Sequence, residues 1–125
     1  MLPTRKLTVT FERFAVVRVP FPFTDRSATK NRPALVLSDA AAFNTPVGHS
    51  VMAMITSAVN APWPLDCVLA DLDAAGLPAP SRVRFKLFTL DHRLVRGQLG
   101  HLAADDVAAV SEALARLFDT TPKGP

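Results

Sequence analysis

The sequence predicts a mainly β domain: a curled antiparallel sheet that forms a small barrel, with one C-terminal α-helix covering an opening. Three observations predict this fold. Several short apolar runs lie between turn residues, one segment alternates with a period of two, and the last apolar segment changes to a helical period. The 125 residues, 49% of them hydrophobic, suit one domain with its own core. We expect a lead-in over residues 1–12, the domain over 13–118 and a tail over 119–125.

Composition predicts the first two strands. The run FAVVRV, residues 14–19, is rich in β-branched side chains, and Pro20 is expected to end it because proline cannot donate to a sheet ladder. The polar stretch over residues 24–31 is typical of an exposed loop. The apolar run over residues 34–38 predicts a buried strand, and Arg32, which precedes a proline, is placed in extended backbone at the entrance of that strand.

Shorter elements lead to one long strand. We expect an irregular stretch over residues 39–48, a strand over 50–55 that ends at Thr56 and Ser57, a loop over 60–64, a short strand over 66–69 and a turn over 75–78. Residues 81–90 then alternate, which predicts a strand with an apolar face and a mostly basic face. The apolar positions are Val83, Phe85 and Leu87, and the alternating positions are Arg82, Arg84, Lys86 and Phe88. A last short strand is expected over residues 94–97.

The C-terminal segment has the spacing of an amphipathic helix. Its apolar residues recur three or four positions apart, at Val107, Val110, Leu114 and Leu117. Asp105 and Asp106 lie in the first turn, where negative charge interacts favourably with the helix dipole. Ala103 is the expected N-cap, although alanine is a weak capping residue.

The net charge of +3 is distributed unevenly along the chain. Residues 1–38 contain seven basic and two acidic residues, and residues 81–101 contain five basic and one acidic. Residues 39–80 contain four acidic residues and no basic ones, and residues 102–125 contain two basic and four acidic. If the two basic blocks meet in the fold, they form a patch suited to a polyanion such as a phosphate backbone. The alternative is that solvated arginines only keep the protein in solution.

The common catalytic and metal-binding motifs are absent from the sequence. It has no glycine-rich phosphate loop, HExxH or GxSxG motif, and its three histidines lack metal-ligand spacing. Asp71 and Asp73 precede a turn and are expected to cap or solvate it. The single cysteine, Cys67, excludes an internal disulfide and is expected to act as a small buried apolar residue. Neither a metal nor a cofactor is predicted.

Hydropathy predicts neither a membrane span nor a signal peptide. Polar residues break the longest uncharged stretch, and charged residues interrupt any apolar segment near the N-terminus. We therefore expect a cytoplasmic protein with no membrane partner.

An ordered set of motifs extends over residues 13–118. They are VPFPFTD at 19–25, KNRPALVLS at 30–38, ITS at 55–57, AGLPAPSRVRFKLFTLD at 75–91 and GQLG at 97–100, followed by the C-terminal helix. In this combination they resemble the PemK/MazF family of toxin endoribonucleases. The resemblance implies a small SH3-like antiparallel barrel of the MazF/PemK/CcdB type, usually assembled as a homodimer.

The resemblance also implies a function. Members of the family are toxins of type II toxin–antitoxin systems that inhibit growth by cutting single-stranded RNA, such as mRNA, without a metal ion. The ribose 2′-hydroxyl attacks the adjacent phosphate and leaves a cyclic phosphate and a 5′-hydroxyl. The implied partners are single-stranded RNA, a cognate antitoxin whose acidic segment competes for the basic groove, a second copy of the chain, and operator DNA bound together with the antitoxin.

Two residues match the catalytic positions of the family. Arg32 corresponds to the arginine of the RP motif and Thr56 to the threonine of the TS motif, so the resemblance implies that they form the catalytic pair. A permanently charged guanidinium suits stabilisation of the phosphoryl transition state, and a threonine hydroxyl suits orientation of the 2′-hydroxyl or of a phosphate oxygen. The structural alternatives are an arginine that only enters a strand and a hydroxyl that only holds a turn.

Six further residues are candidates for RNA contacts. They are Thr24, Ser27, Lys30, Ser57, Arg84 and Lys86. The first three lie in the segment that corresponds to the family's mobile RNA-binding loop, although ordinary loop polarity explains them equally well. The last two are expected to contact phosphates, and the alternative is a solvated basic strand face. Trp63, between two prolines, suits either base stacking or a lid on the core.

Two positions depart from the family pattern. Lys86 stands where some members have an aspartate, and Phe14-Ala15 stands where many members begin the first strand with Gly-Asp. Such departures would accompany an alternative function, a catalytically silent PemK-like module that binds nucleic acid or protein and regulates its own operon. A third alternative is a plain SH3-like interaction domain with no salt-sensitive affinity for RNA.

Overall fold

The computed structural model describes residues 10–21 and 30–124, and a six-stranded antiparallel sheet forms its centre. The strands are β1 (Ala15–Phe21), β2 (Lys30–Val36), β3 (His49–Ser57), β4 (Cys67–Val68), β5 (Ser81–Asp91) and β6 (Gln98–His101). They lie in the order β4-β5-β3-β2-β1-β6 within the sheet. The curled sheet and the C-terminal helix confirm the predicted mainly β fold.

Helical segments connect these strands. They are a π-helical turn (Ala40–Asn44), α1 (Thr45–Val47), α2 (Leu72–Ala75), a 3-10 turn (His92–Leu94) and α3 (Ala104–Leu117). The irregular stretch predicted over residues 39–48 is therefore helical. The carboxylate of Asp39 caps it by accepting from the backbone amide of Ala42 at 2.7 Å. No helix in the described part of the chain is long and apolar enough to cross a membrane.

Both faces of the sheet are covered by apolar residues. A helix-side cluster includes Val16, Leu35, Ala53, Val83 and Val110, and a cleft-side cluster includes Phe11, Val17, Ala34, Met52 and Leu90. Successive residues of one strand therefore enter different clusters, because side chains alternate between the faces. This two-sided burial explains why the first two strands are continuous apolar runs in the sequence. Phe11, in the predicted lead-in, is 7% exposed and belongs to the second cluster.

The C-terminal helix α3 covers the helix-side cluster. Val110 is fully buried and Leu117 is 38% exposed, so the predicted apolar stripe is buried at its centre and emerges at its end. Ala103 is the N-cap, as expected, and makes no side-chain capping bond. Asp106 has a more specific role than the predicted interaction with the helix dipole. It is buried and accepts hydrogen bonds from the backbone amides of Ala70 (2.9 Å) and Asp71 (3.0 Å), which tie the helix to the loop before α2.

Two glycines bring the ends of the sheet together. A Cβ atom at Gly76 would overlap the carbonyl oxygen of Leu99, and one at Gly100 would overlap the carbonyl oxygen of Ala74. The segment of α2 therefore contacts β6 backbone to backbone, which only glycine permits. Asp71 caps α2 by accepting from the amide of Ala74 at 2.9 Å, which confirms its predicted capping role.

Strand β1 continues through Pro20, so the prediction that this proline ends the strand was wrong. The backbone amide of Arg18 donates to the carbonyl of Gly97 at 2.8 Å. Because alternate residues of a strand direct their N–H groups to the same edge, the missing N–H of Pro20 faces the β6 side. The paired part of β6 reaches only as far as Val17. The proline therefore removes no bond from the β1–β2 ladder.

The second strand also extends beyond its predicted bounds. β2 begins at Lys30 and ends at Val36, so residues 30 and 31 belong to a strand and not to the polar loop. Arg32 lies inside this strand, opposite Val19 of β1, and not at its entrance.

A bulge divides the long strand β5. Ala53 pairs with Leu87 and the next residue, Met54, pairs with Arg84, so two residues of β5 have no partner in β3. The predicted separation into an apolar and a basic face is only partly correct as a result. Arg84 is 9% exposed, whereas Leu87 is 37% exposed.

Phe14 provides the turn that precedes β1. Its φ of 69° lies in the left-handed region, which disfavours side chains other than glycine. Glycine adopts this conformation without strain, which explains why the family pattern has Gly-Asp where this chain has Phe14-Ala15. The Phe14 ring is buried in the helix-side cluster, and its burial offsets a strain of about 1–2 kcal/mol.

The substitution Gly100→Ala is expected to lower the free energy of unfolding by about 1–3 kcal/mol, because the added methyl group meets rigid backbone. Urea denaturation followed by circular dichroism measures the change. Gly124→Ala is the matched control, since nothing lies within 4 Å of that position. Equal stabilities of the two variants would show that the contact between α2 and β6 does not constrain the fold.

Candidate active site

An open cleft of about 370 Å³ crosses β2, β3 and β5. It is lined by Phe21, Arg32, Met54, Ile55, Thr56, Arg84, Lys86, Leu87 and Phe88. The cleft contains both predicted catalytic residues and two of the predicted RNA contacts. Among its described lining residues the only charged groups are cations, so the cleft is suited to an anion.

Neighbouring strands bring Arg32 and Thr56 to one face of the sheet. The described pairing of β2 with β3 ends at Ala34 and Met54. Arg32 lies two residues before Ala34 and Thr56 two residues after Met54, so these side chains point to the same face. Both residues line the cleft, on neighbouring strands just beyond this last pair.

The guanidinium of Arg32 is exposed in the cleft. Its central carbon lies 5.7 Å from the centre of the Phe21 ring, which supports the side chain from β1. Within residues 10–21 and 30–124 no carboxylate forms an ion pair with it. Its donors therefore remain available for a phosphate.

A neighbouring amide orients the hydroxyl of Thr56. Asn60 Nδ2 donates to Thr56 Oγ1 at 2.7 Å, across a turn in which the backbone amide of Asn60 donates to the carbonyl of Ser57 at 3.1 Å. An amide N–H cannot accept, so the threonine proton is left to donate elsewhere. Asn60 was not among the residues predicted for the site. Its only signal was an amide side chain in the turn just after the TS motif.

Arg84 lines the cleft, but its donors are engaged by the protein. Its Nη2 atom donates to Asp66 Oδ2 at 2.9 Å and to the carbonyl of Ala61 at 2.7 Å, and Nε donates to Asp66 Oδ1 at 3.3 Å. Its guanidinium carbon lies 4.7 Å from the centre of the Trp63 ring. The described contacts of Arg84 are thus internal, and contact with RNA phosphate remains a prediction.

Asp66 is the buried counter-charge for two arginines. Besides Arg84, it lies 3.6 Å from Arg82 Nη1, whose neighbouring Nη2 atom donates to the carbonyl of Ala58 at 2.6 Å. Burial disfavours the charged carboxylate, but hydrogen bonds from Arg84 and the amide of Trp63, with the charges of both arginines, outweigh it and lower the pKa of Asp66. The sequence predicted only the start of a short strand here, because nothing in it revealed that two arginines converge on this position.

The remaining predicted RNA contacts are dispersed. Lys86 is exposed in the cleft, with Nζ 5.4 Å from the centre of the Trp63 ring. Lys30 and Ser57 are exposed at the ends of their strands and do not line the cleft. Thr24 and Ser27 lie outside the described residues.

Cys67 lies away from the cleft, near α3. It is half-buried, and its Sγ atom lies 3.8 Å from the carbonyl oxygen of Ala109. Burial, together with nearby carboxylates, raises the pKa of the thiol, which disfavours the reactive thiolate. The prediction of a small buried apolar residue is therefore only partly correct, because Cys67 is half-buried.

The substitution Asp66→Asn is expected to lower the free energy of unfolding at pH 7 by about 3 kcal/mol, because the buried Arg84 and the partly buried Arg82 lose their counter-charge. Urea denaturation measures the loss. Asp119→Asn is the control, since it removes a carboxylate from the exposed pair with Lys123 and is expected to cost much less.

The effect of Asp66→Asn also depends on pH. Folding lowers the pKa of Asp66, so its stabilisation is complete above the ordinary carboxyl pKa of about 3.9 and is lost as the pH falls through the folded value. The difference in stability between wild type and Asp66→Asn should therefore shrink on acidification. A difference that stays constant between about pH 7 and pH 2 would contradict this assignment.

Solved structures resemble the chain over most of its length. The MazE-MazF complex (Form-III) from Deinococcus radiodurans is 25% identical, with a TM-score of 0.69 over 90% of this chain and 100% of that one. Toxin MazF-mt6 of Mycobacterium tuberculosis is 23% identical, with a TM-score of 0.65 over 84% and 96% of the two chains. An endoribonuclease from Mycobacterial species is 16% identical, with a TM-score of 0.71 over 94% and 100%. The last two likenesses support the fold alone.

Sequence comparison supplies the family. No curated protein matches the chain at a significant level. A family model described as the PemK-like, MazF-like toxin of type II toxin–antitoxin systems matches residues 12–118, which include all six strands and α3. By this match the chain belongs to the PemK-like, MazF-like toxin family of type II toxin–antitoxin systems.

Proposed function

We propose that this protein is a toxin endoribonuclease that inhibits growth in the cytoplasm by cutting single-stranded RNA without a metal ion. The observation that carries the proposal is the position of Arg32 and Thr56, which match the family's RP and TS motifs and line one cationic cleft. A phosphodiester bound between them would contact the guanidinium of Arg32 on β2 and the hydroxyl of Thr56 on β3.

The proposed reaction is attack by a ribose 2′-hydroxyl on the adjacent phosphorus. The new P–O2′ bond closes a 2′,3′-cyclic phosphate as the 2′-hydroxyl gives up its proton to water. The P–O5′ bond breaks, and the leaving 5′-oxygen takes a proton from water to become a 5′-hydroxyl. Arg32 stabilises the charge that develops on the non-bridging oxygens, because its planar fork can hold two of them. The Thr56 hydroxyl donates a hydrogen bond to a phosphate oxygen or to the 2′-oxygen, since its own oxygen already accepts one from Asn60.

The proposed partners follow from the charge of the cleft. Arg32 and Lys86 provide exposed cations for an RNA backbone, and the same cations would attract an acidic segment of a cognate antitoxin. The solved MazE-MazF complexes from Deinococcus radiodurans support an antitoxin as partner. We further propose a homodimer that binds operator DNA together with the antitoxin.

Purified protein incubated with mixed-sequence RNA and excess EDTA is expected to yield fragments whose 5′ ends a polynucleotide kinase labels without prior phosphatase treatment. Arg32→Ala should lower the cleavage rate by about 10²- to 10³-fold and Thr56→Ala by about 10²-fold, through loss of transition-state contacts. Arg93→Ala, which removes a cation outside the cleft, is the control and should cut at the wild-type rate.

Two outcomes would overturn the proposal. If folded wild-type protein binds RNA but produces no 5′-hydroxyl ends, the catalytically silent binding module is the better description. Cleavage by Arg32→Ala and Thr56→Ala at the wild-type rate would place the chemistry elsewhere.

The hydrogen bond from Asn60 yields a further prediction. Asn60→Ala is expected to lower kcat about 10-fold with little change in KM, because Thr56 loses the donor that orients it. In the Thr56→Ala background the same change should have no additional effect on the single-turnover rate. Val59→Ala is the control, since it alters an exposed residue of the same turn. Equal losses in both backgrounds would mean that Asn60 does not act through Thr56.

A further inference from the structure

We propose that Trp63 forms a nucleobase-stacking site at the rim of the cleft, where one base of a bound single strand lies on the indole. The inference rests on the proposed function in that its ligand is single-stranded nucleic acid. Trp63 lies between Pro62 and Pro64 and is 46% exposed, although it is the largest apolar side chain in the protein. Among the described residues, neither apolar cluster includes it.

The backbone of Trp63 is held in place before any ligand arrives. Its amide donates to Asp66 Oδ2 at 2.8 Å, and the amide of Asp66 donates back to its carbonyl at 3.2 Å. The prolines on either side restrict the backbone further. A preorganised aromatic side chain loses little conformational entropy when a base stacks on it.

One face of the indole rests on a buried cation. The guanidinium of Arg84 lies 4.7 Å from the ring centre and is fixed by Asp66. Arg84 is only 9% exposed, and the exposed Lys86 also lies over the ring, with Nζ 5.4 Å from its centre. Because Trp63 is 46% exposed, part of the indole remains open to solvent, where a base can reach it. This cation–π contact resists rotation of the ring away from the stacking position.

The cleft and the indole are continuous. Arg84 and Lys86, which both contact the ring, also line the cleft that contains Arg32 and Thr56. A strand whose phosphate lies in the cleft can therefore place a neighbouring base on Trp63, while Lys86 stays close to the backbone charge. Stacking on an aromatic side chain is tolerant of base identity, because every base presents a π face. The site is thus expected to add affinity more than sequence preference.

The protein contains one tryptophan, so its fluorescence reports on this site alone. We would titrate the intact protein with a mixed-sequence single-stranded DNA oligonucleotide, which lacks the 2′-hydroxyl and cannot be cleaved by the proposed reaction. Saturable quenching of Trp63 emission is expected. An oligonucleotide of the same length with abasic positions throughout keeps the phosphates and should bind without quenching.

Variants supply the second measurement. Trp63→Ala should weaken binding of the DNA oligonucleotide about 10-fold, measured by fluorescence anisotropy of a labelled strand, and Trp63→Phe should recover most of the loss. Phe118→Ala, which removes an exposed aromatic residue after α3, should bind as the wild type does.

The results separate this inference from the proposed function. Binding without quenching, or an unchanged Kd for Trp63→Ala, overturns the stacking site even if RNA is still cut. Quenching with weakened binding of Trp63→Ala supports the stacking site whether or not RNA is cut. Failure of the wild-type protein to bind the oligonucleotide overturns the stacking site as well.

Discussion

One buried carboxylate holds the wall of the cleft together. Asp66, with a side chain only 4% exposed, balances Arg82 and Arg84, two adjacent cations of one strand face. Without that counter-charge the arginines would turn outward to water, because an unpaired buried charge is strongly unfavourable. The same carboxylate accepts the amide of Trp63, so one side chain joins β5 to the connection between β3 and β4. The position of the indole and the shape of the cleft both depend on it.

The cleft is possible because one sheet face is only partly filled. Met52 and Ala34 pack there in an apolar cluster, and the same alternation continues along β2 and β3 to Arg32 and Thr56. On this face, the side chains of β2 and β3 therefore pass from the apolar core to the lining of the cleft within a few residues. Side chains fixed by sheet register keep their spacing better than side chains on loops, which suits a reaction that requires alignment.

The sequence allowed most strands and the C-terminal helix to be predicted, since each depends on local pattern, but the strand expected over residues 94–97 was wrong, because the last strand is β6 (Gln98–His101). Motifs pointed to Arg32 and Thr56, which the structure places in one cleft, and their catalytic role stays a prediction. Asp66 and Asn60 could not be assigned, because their roles exist only when the connection after β3 folds back on β5. The internal hydrogen bonds of Arg84 were not predicted for a related reason. A period-two pattern predicts which face of the sheet a side chain lies on, but not which groups it binds. It also does not reveal the bulge in β5, where two residues have no partner in β3.

Pro20 affects more than the length of its strand. Past Arg18, the outer edge of β1 has no strand beside it within the described part of the chain, and such an edge is a template on which a strand of another molecule can add. The proline removes a donor from this edge while leaving the bonds to β2 intact. The end of β1, which lies next to the cleft, therefore cannot form a continuous ladder of hydrogen bonds with a strand of another molecule. This interruption lowers the tendency of the folded protein to aggregate through that edge.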